Sequence, residues 1–249
     1  MFETTPSRAE RQSKFQPREL SRKTHFPQSR LHPCARFEIT TVMNEVFRPV
    51  EAKRFQTALS RFDEANARDP HHEAFEGQLH PREWLYSRWL SDWVLKLSPG
   101  ASEALRLAAR CQHLRRWEIP RASYPMDRAG YLRWRADLKK FHAEKSAEIL
   151  REVGYDETTI RRVQELNLKQ LFPNDPETRV LEDALCLVFL EHQFAALAAK
   201  TTEDKIISAL RKSWGKMTPA ARDQALKLNY GDRERRLLEL ALAPAPSSS

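Results

Sequence analysis

Glycine is scarce, with six residues in a chain of 249, which leaves few of the positive-φ positions that tight hairpin turns use. A sheet-rich fold is therefore disfavoured, and the abundance of Ala, Leu, Arg, Glu and Lys points to helix. Cysteine is scarcer still. Cys34, Cys111 and Cys186 stand far apart, so neither a disulfide framework nor a CxxC zinc spacing exists, and reduced thiols in a cytoplasmic protein are expected. Long apolar runs are missing too: even LEDALCLVFLEHQFAALAAK carries Glu182, Asp183, Glu191 and His192. No stretch reads as a bilayer span, and a membrane is not among the expected partners.

Acidic residues are outnumbered, 34 Asp and Glu against 42 Lys and Arg, for a formal charge of +8. The long-range field of such a chain favours anionic partners such as nucleotides, nucleic acid or acidic surfaces. Part of the excess lies in residues 1–48, which are rich in Arg, Ser, Thr, Pro and Gln and lack helical periodicity. This stretch reads as a disordered basic arm. An organelle-targeting peptide, a nucleic-acid tail, or sequence upstream of a true start at Met43 would each account for it. Glu3, Glu10, Glu19 and Glu38 weigh against targeting, which favours the late start.

Residues 49–241 carry the pattern of one all-α domain, a helical bundle, with a frayed tail over 242–249. Phe55, Leu59 and Phe62 open it at helical spacing. The stretch DPHHEAFEGQLHP follows as a loop in which His71, His72 and His80 are read as solvent-exposed. A helix over 81–97 places Glu83, Tyr86, Ser87, Leu90, Val94 and Leu97 on one face. Ser98-Pro99 offers a cap and first-turn proline for the helix ASEALRLAARCQH, whose inner face holds Leu105, Ala108 and Gln112.

A long helix over 128–153, stopped by Gly154, aligns Tyr131, Leu138, His142, Ser146, Ile149 and Val153. Asp156, Asp175-Pro176, Thr202 and Thr218-Pro219 each open a further helix. The one over 176–200 is apolar nearly all round and is expected to be central. On it Asp183 shares a face with Val180, Leu187, Leu190 and Phe194.

Glu83, Gln112 with its neighbour His113, His142 and Asp183 therefore place polar groups on the apolar faces of four helices. Buried polar groups need partners, and the nearest at hand are one another, water or a cation. A set of His and carboxylate side chains suits Mn, Fe, Zn or Mg. Arg115, Arg116 and Arg121, which follow Gln112-His113 directly, read as an anion clamp that Lys139 and Lys140 extend. Each residue also has a plain structural account. Asp183 can pair with Arg135, His142 can bond a backbone carbonyl, and the arginines can pair with Glu118 and Asp127. Trp134 and Tyr131 can stack on a base, but core packing is favoured for both.

The order QHLRR, then FHAEKSAEIL, then a late LEDALCL resembles the HD-domain phosphohydrolases. Gln112-His113 stands where that superfamily has its His-Asp pair, His142 at an additional ligand position, and Asp183 at the late Asp. A longer resemblance, over about Phe62 to Leu228, rests on FDEAN, WLYSRWLSDW, RLAARCQHLRRWEIPR, SYPMDRAGYLRWRADLKKFHAEKSAEIL, LEDALCLVFLEHQF and KSWGKM. It is to the family of domain of unknown function 4202. Some members of that family carry a glutamyl-tRNA synthetase label, yet no HIGH-like or KMSKS-like signature is present here.

The resemblance to HD-domain phosphohydrolases implies an HD-domain-like bundle that is a metal-dependent phosphohydrolase of a nucleotide or other phosphate ester. In it His113, His142 and Asp183 would hold the ion, Glu83, His113 and His142 would handle protons and water, and Arg115, Arg116, Arg121, Lys139 and Lys140 would bind phosphate. The alternative is a non-catalytic module that binds RNA or associates with tRNA.

Overall fold

A computed structural model describes residues 49–243. The arm over 1–48, the start at Met43 and Cys34 lie outside the described residues, as does the tail from 244 onward. Among the described residues there are ten α-helices and one two-stranded hairpin. In chain order they are α1 (Pro49–Asn66), β1 (His72–Phe75), β2 (Gln78–Pro81), α2 (Arg82–Leu97), α3 (Glu103–Cys111), α4 (Arg128–Val153) and α5 (Glu157–Leu168). Then come α6 (Pro176–Val188), α7 (Phe194–Lys200), α8 (Glu203–Lys216), α9 (Pro219–Ala225) and α10 (Asp232–Leu242). None of these helices is long and apolar enough to cross a membrane.

The caps account for most helix ends. Asp127, Asp156, Asp175 and Thr218 each accept a hydrogen bond from a backbone N–H of the first turn they precede. Gly154 ends α4 in the left-handed region, at φ 89°. At α3 the cap is not Ser98. Ser98, Pro99 and Gly100 turn instead, and Ser102 accepts from the Leu105 amide to start the helix at Glu103.

The loop expected over 69–81 also differs, since it contains an antiparallel hairpin with Phe75 opposite Gln78. Its two-residue turn puts both Glu76 (φ 50°) and Gly77 (φ 78°) in the left-handed region. A glutamate at the first of those positions, where Asn or Asp is usual, hid the turn from a sequence reading.

Helix α6 is central, as its composition implies. Leu181, Ala184, Leu187 and Val188 are fully buried, and they join Leu90 and Val94 of α2 and Leu105 and Ala108 of α3 in one core. It does not run unbroken to Lys200. A π-helical turn over Phe189–Gln193 separates α6 from α7. There Glu191 accepts from the Trp93 indole N–H at 2.6 Å, and the His192 ring stacks on Trp89 at 3.9 Å.

The segment FDEAN fixes the geometry that the site depends on. Phe62 is buried in the core, and Asp63 faces Arg110 at 3.1 Å and Arg88 at 3.5 Å. Fully buried Asn66 ties three elements together: its amide N–H donates to the Glu83 carbonyl at 3.4 Å, and its Oδ1 accepts from the Arg115 backbone amide at 3.0 Å. Asp69, also buried, receives the Glu83 backbone amide at 3.0 Å and so caps α2 from outside the helix.

Replacing Asn66 with alanine leaves the Arg115 amide and Glu83 carbonyl short of partners, with an expected cost of about 2 kcal/mol. Urea denaturation measures this directly. A midpoint equal to that of the wild type would show that Asn66 does not hold the turn after α3.

Candidate functional site

The turn after α3 is where the chain brings its polar residues inward. Helix α3 stops at Cys111, and Arg115 takes a left-handed conformation (φ 54°) with its amide held by Asn66. Gln112 and His113 are thereby directed under α4, although helical rotation alone would have placed His113 beside Arg106 and Arg110.

Three of the expected residues meet there. His113 Nδ1 lies 3.2 Å from Glu83 Oε2, though off the angle of a hydrogen bond, so that oxygen has no hydrogen-bond partner. The His113 ring stacks on Tyr86, with 4.1 Å between ring centres, and lies 5.8 Å from the ring of His142. Arg116 packs against the same imidazole, with Nη1 3.2 and 3.4 Å from its two nitrogens, and its guanidinium lies 5.2 Å from the Trp134 ring centre.

Burial governs the charge states. It pushes the Glu83 carboxyl up to about 7, with Asp69 adding to the rise and Arg116 opposing it. It pulls His142 down to about 3, reinforced by His113. His113 itself falls well below the ordinary imidazole range through burial and then through Arg116 and Arg135. Both imidazoles are therefore neutral at neutral pH. His142 Nδ1 lies 2.8 Å from the Leu114 carbonyl, which can only accept. The proton sits on Nδ1, and Nε2 carries the lone pair.

Tyr86, Gln112, His113 and His142, with Glu83 behind them, form the floor of a cleft of about 380 Å³. Its long wall is a stripe of α4, in which Tyr131, Trp134, Arg135, Leu138, Lys139 and His142 recur at three-and-four spacing. Across from it stand Glu182, Leu185 and Cys186 of α6, Phe189 and Gln193 of the π turn, and Ser213 and Lys216 from α8. Lys169, in a left-handed C-cap position at the end of α5 (φ 58°), extends into the same space.

Five cations, Arg116, Arg135, Lys139, Lys169 and Lys216, line the cleft with one carboxylate, Glu182. Glu182 is bound on both oxygens, by Lys169 and, at 2.9 Å, by Lys216. Among the described residues no carboxylate lies within ion-pair range of Arg135 or Lys139. Burial, and then Arg135, lower the Lys139 ammonium below the usual lysine range. The Cys186 thiol in the cleft is pushed up to about 12 by burial and is no nucleophile.

Several expected roles fall elsewhere. Asp183 does not join His113 and His142. Its two oxygens accept from the Thr218 amide at 2.9 Å and the Thr218 hydroxyl at 2.5 Å, which anchors the start of α9. The expected set of His113, His142 and Asp183 is therefore not assembled, and no group of three or more His, Cys, Asp and Glu among the described residues could hold a metal ion. Glu182, next to Asp183, faces the cleft instead.

The clamp is also redrawn. Arg115 turns away and pairs with Glu118 at 2.5 Å. Arg121 donates to the Tyr124 and Pro125 carbonyls at 3.0 and 2.7 Å and so holds its own loop in shape. Lys140 is exposed outside the cleft. Arg116 and Lys139 remain.

Trp134 is buried, with its indole N–H on the Ile119 carbonyl at 2.9 Å. Tyr131, expected in the core, is 42 % exposed at the cleft. His71 pairs with Asp69 at 3.0 Å, and His80 stacks on Trp84. Arg135 was within reach of a sequence reading, because it sits on the same stripe as His142. Lys169 and Lys216, at the ends of two other helices, carried no such signal.

Residues 56–238 match the model of a family described as a domain of unknown function (DUF4202). No curated protein matches the chain, and no solved structure does. The resemblance to HD-domain phosphohydrolases rests on residue order alone.

Proposed function

Given that the chain belongs to the family described as a domain of unknown function (DUF4202), a description that assigns no chemistry, we propose from the site itself that the protein binds and hydrolyses a small phosphate ester in this cleft. One observation carries the reading: Arg135 and Lys139, one helical turn apart, face the cleft without an acidic partner among the described residues. Glu182 attracts Lys139 across the cleft but is itself bound by Lys169 and Lys216; cations in excess of the local counter-charge raise one another's free energy, and a phosphate relieves that while accepting their donors. The guanidiniums of Arg116 and Arg135 suit two phosphate oxygens each, and Lys139 supplies a point charge. A recess of about 380 Å³ fits a small molecule better than an extended RNA strand, which needs a groove to track its backbone.

The metal-dependent form of the sequence expectation does not fit the donors present, because Asp183 is bound to Thr218 and His142 Nδ1 to a carbonyl. The chemistry assigned here uses the chain's own groups. Water attacks phosphorus and the ester P–O bond breaks. The unprotonated Nε2 of His142 takes the proton of the water, and the alcohol leaves with a proton from solvent. A phosphate dianion in the cleft raises the proton affinity of both imidazoles by Coulomb attraction, which makes them better bases in the complex than in the free protein.

Titration calorimetry with inorganic phosphate tests binding. The double variant Arg135→Ala, Lys139→Ala is expected to weaken it by about thirtyfold with little change in melting temperature, since both side chains reach solvent. Undiminished binding in that variant would remove the clamp from consideration. Release of phosphate from a panel of monoesters in the presence of a chelator tests the reaction, and no turnover on any of them defeats the hydrolase assignment.

A further inference from the structure

The cleft has two ends of different chemistry. Arg135 and Lys216 are exposed at its mouth, while Gln112 and His142 are 5 % and 3 % exposed on its floor. The floor presents acceptors. His142 Nε2 carries a lone pair, because its other nitrogen holds the proton for Leu114, and Gln112 Oε1 is buried with no hydrogen-bond partner. A buried carbonyl left unmet is costly and rare, and Gln112 is one of the residues that line the cleft, so a small shift of its side chain lets the carbonyl meet a donor held there. It is independent of the cations that carry the phosphate reading.

We propose that the phosphate ester taken by this cleft carries an N–H or O–H donor on its organic part, received by Gln112 Oε1 while the phosphate is held by Arg135 and Lys139, on the same stripe of α4 as His142. The inference rests on the phosphate-ester reading above and narrows it to esters of polyhydroxylated or amino-bearing molecules. A sugar hydroxyl and the exocyclic amine of a nucleobase share this donor chemistry. Tyr131, with its ring exposed along the wall, gives either one an apolar face to lie against.

Titration calorimetry on the full chain with four probes decides the matter. Inorganic phosphate reports the clamp alone, and phenyl phosphate adds an organic group without a donor. Ribose 5-phosphate adds hydroxyls, and 2′,3′-dideoxyadenosine 5′-monophosphate adds an amine without the ring hydroxyls. At least one of the last two is expected to bind about tenfold more tightly than phenyl phosphate, and which one does identifies the source of the donor. Gln112→Met, which keeps the volume and removes the carbonyl, is expected to erase that advantage and leave phenyl phosphate unchanged.

Phenyl phosphate binding as tightly as both donor-bearing esters would overturn the inference and mean that water satisfies Gln112. An advantage that survives Gln112→Met would overturn it as well. The comparison on the wild-type chain stands even if the variant fails to fold. If none of the four binds, the phosphate-ester reading falls and takes this inference with it, whereas binding without discrimination sinks the inference alone.

Discussion

Replacing Glu182 with alanine lowers stability by about 3–5 kcal/mol, because it strands a buried cation. Lys169 lies on the floor side of the cleft with 17 % of its side chain exposed, and Glu182 is its acidic partner, itself only 6 % exposed. Burial already pulls the Lys169 ammonium below the usual lysine range, with Glu182 opposing that fall. Without the carboxylate, the lysine must either stay charged in a poor solvent or give up its proton, and both routes cost free energy. Lys216 contributes less, since half of its side chain meets water.

The pair Glu182→Leu with Lys169→Met removes both charges and is expected to recover most of the loss, as apolar substitutes for buried ion pairs generally do. Urea denaturation of the single and double variants checks this. A Glu182→Ala midpoint within error of the wild type would mean that solvent reaches Lys169. The milder Glu182→Gln carries a functional corollary: it releases two lysines toward the cleft, so phosphate affinity is expected to rise.

The second large effect is a dependence of stability on acid, set by His142. Its folded value of about 3 lies below the ordinary imidazole value of 6.5, so the unfolded chain takes up a proton that the folded chain refuses. The stability this group contributes is present in full above the unfolded value and is lost as pH falls toward the folded one. Over the whole window the loss amounts to about 5 kcal/mol.

His113 acts in the same direction. Glu83 opposes them: its folded value of about 7 lies above its ordinary 4.5, so it favours the fold as pH falls between those limits, by about 3 kcal/mol. With two imidazoles against one carboxyl, the net loss runs at roughly one proton's slope down to the carboxyl's ordinary value and steepens below it. His142→Gln keeps an N–H for the Leu114 carbonyl and removes the titration. Its stability is expected to fall less steeply, by about 1.4 kcal/mol per pH unit. Denaturant midpoints taken from about pH 7 to about pH 4 would refute the assignment if the two profiles superimposed.

Much of the fold was legible because helix is a local code. The caps at Asp156, Asp175 and Thr218, the stop at Gly154 and the apolar periodicity of α2 and α4 all act within a few residues, and the structure contains each of them. Errors came where local signals compete. Ser98 and Ser102 both precede a helical run, and the Pro99-Gly100 turn between them decides for the second. Glu76 took a turn position that its side chain does not advertise.

The order of residues determines by itself that this is an all-α chain, that Glu83 and His142 point inward, and that α4 presents a basic and aromatic stripe beside His142, because each of these depends only on rotation about one helix axis. It could not distinguish Glu182 from Asp183, since adjacent residues differ in partner only through the helices packed opposite them. The packing of α8 and α9 sends Asp183 to Thr218 and turns Glu182 to Lys169 and Lys216. Tertiary structure alone also decided that His113 swings inward, because the turn that carries it is held by Asn66 from another helix. The same holds for the convergence of five cations from four separate parts of the chain on one cleft, because charge placed in different helices becomes a site only when packing brings the helix ends together.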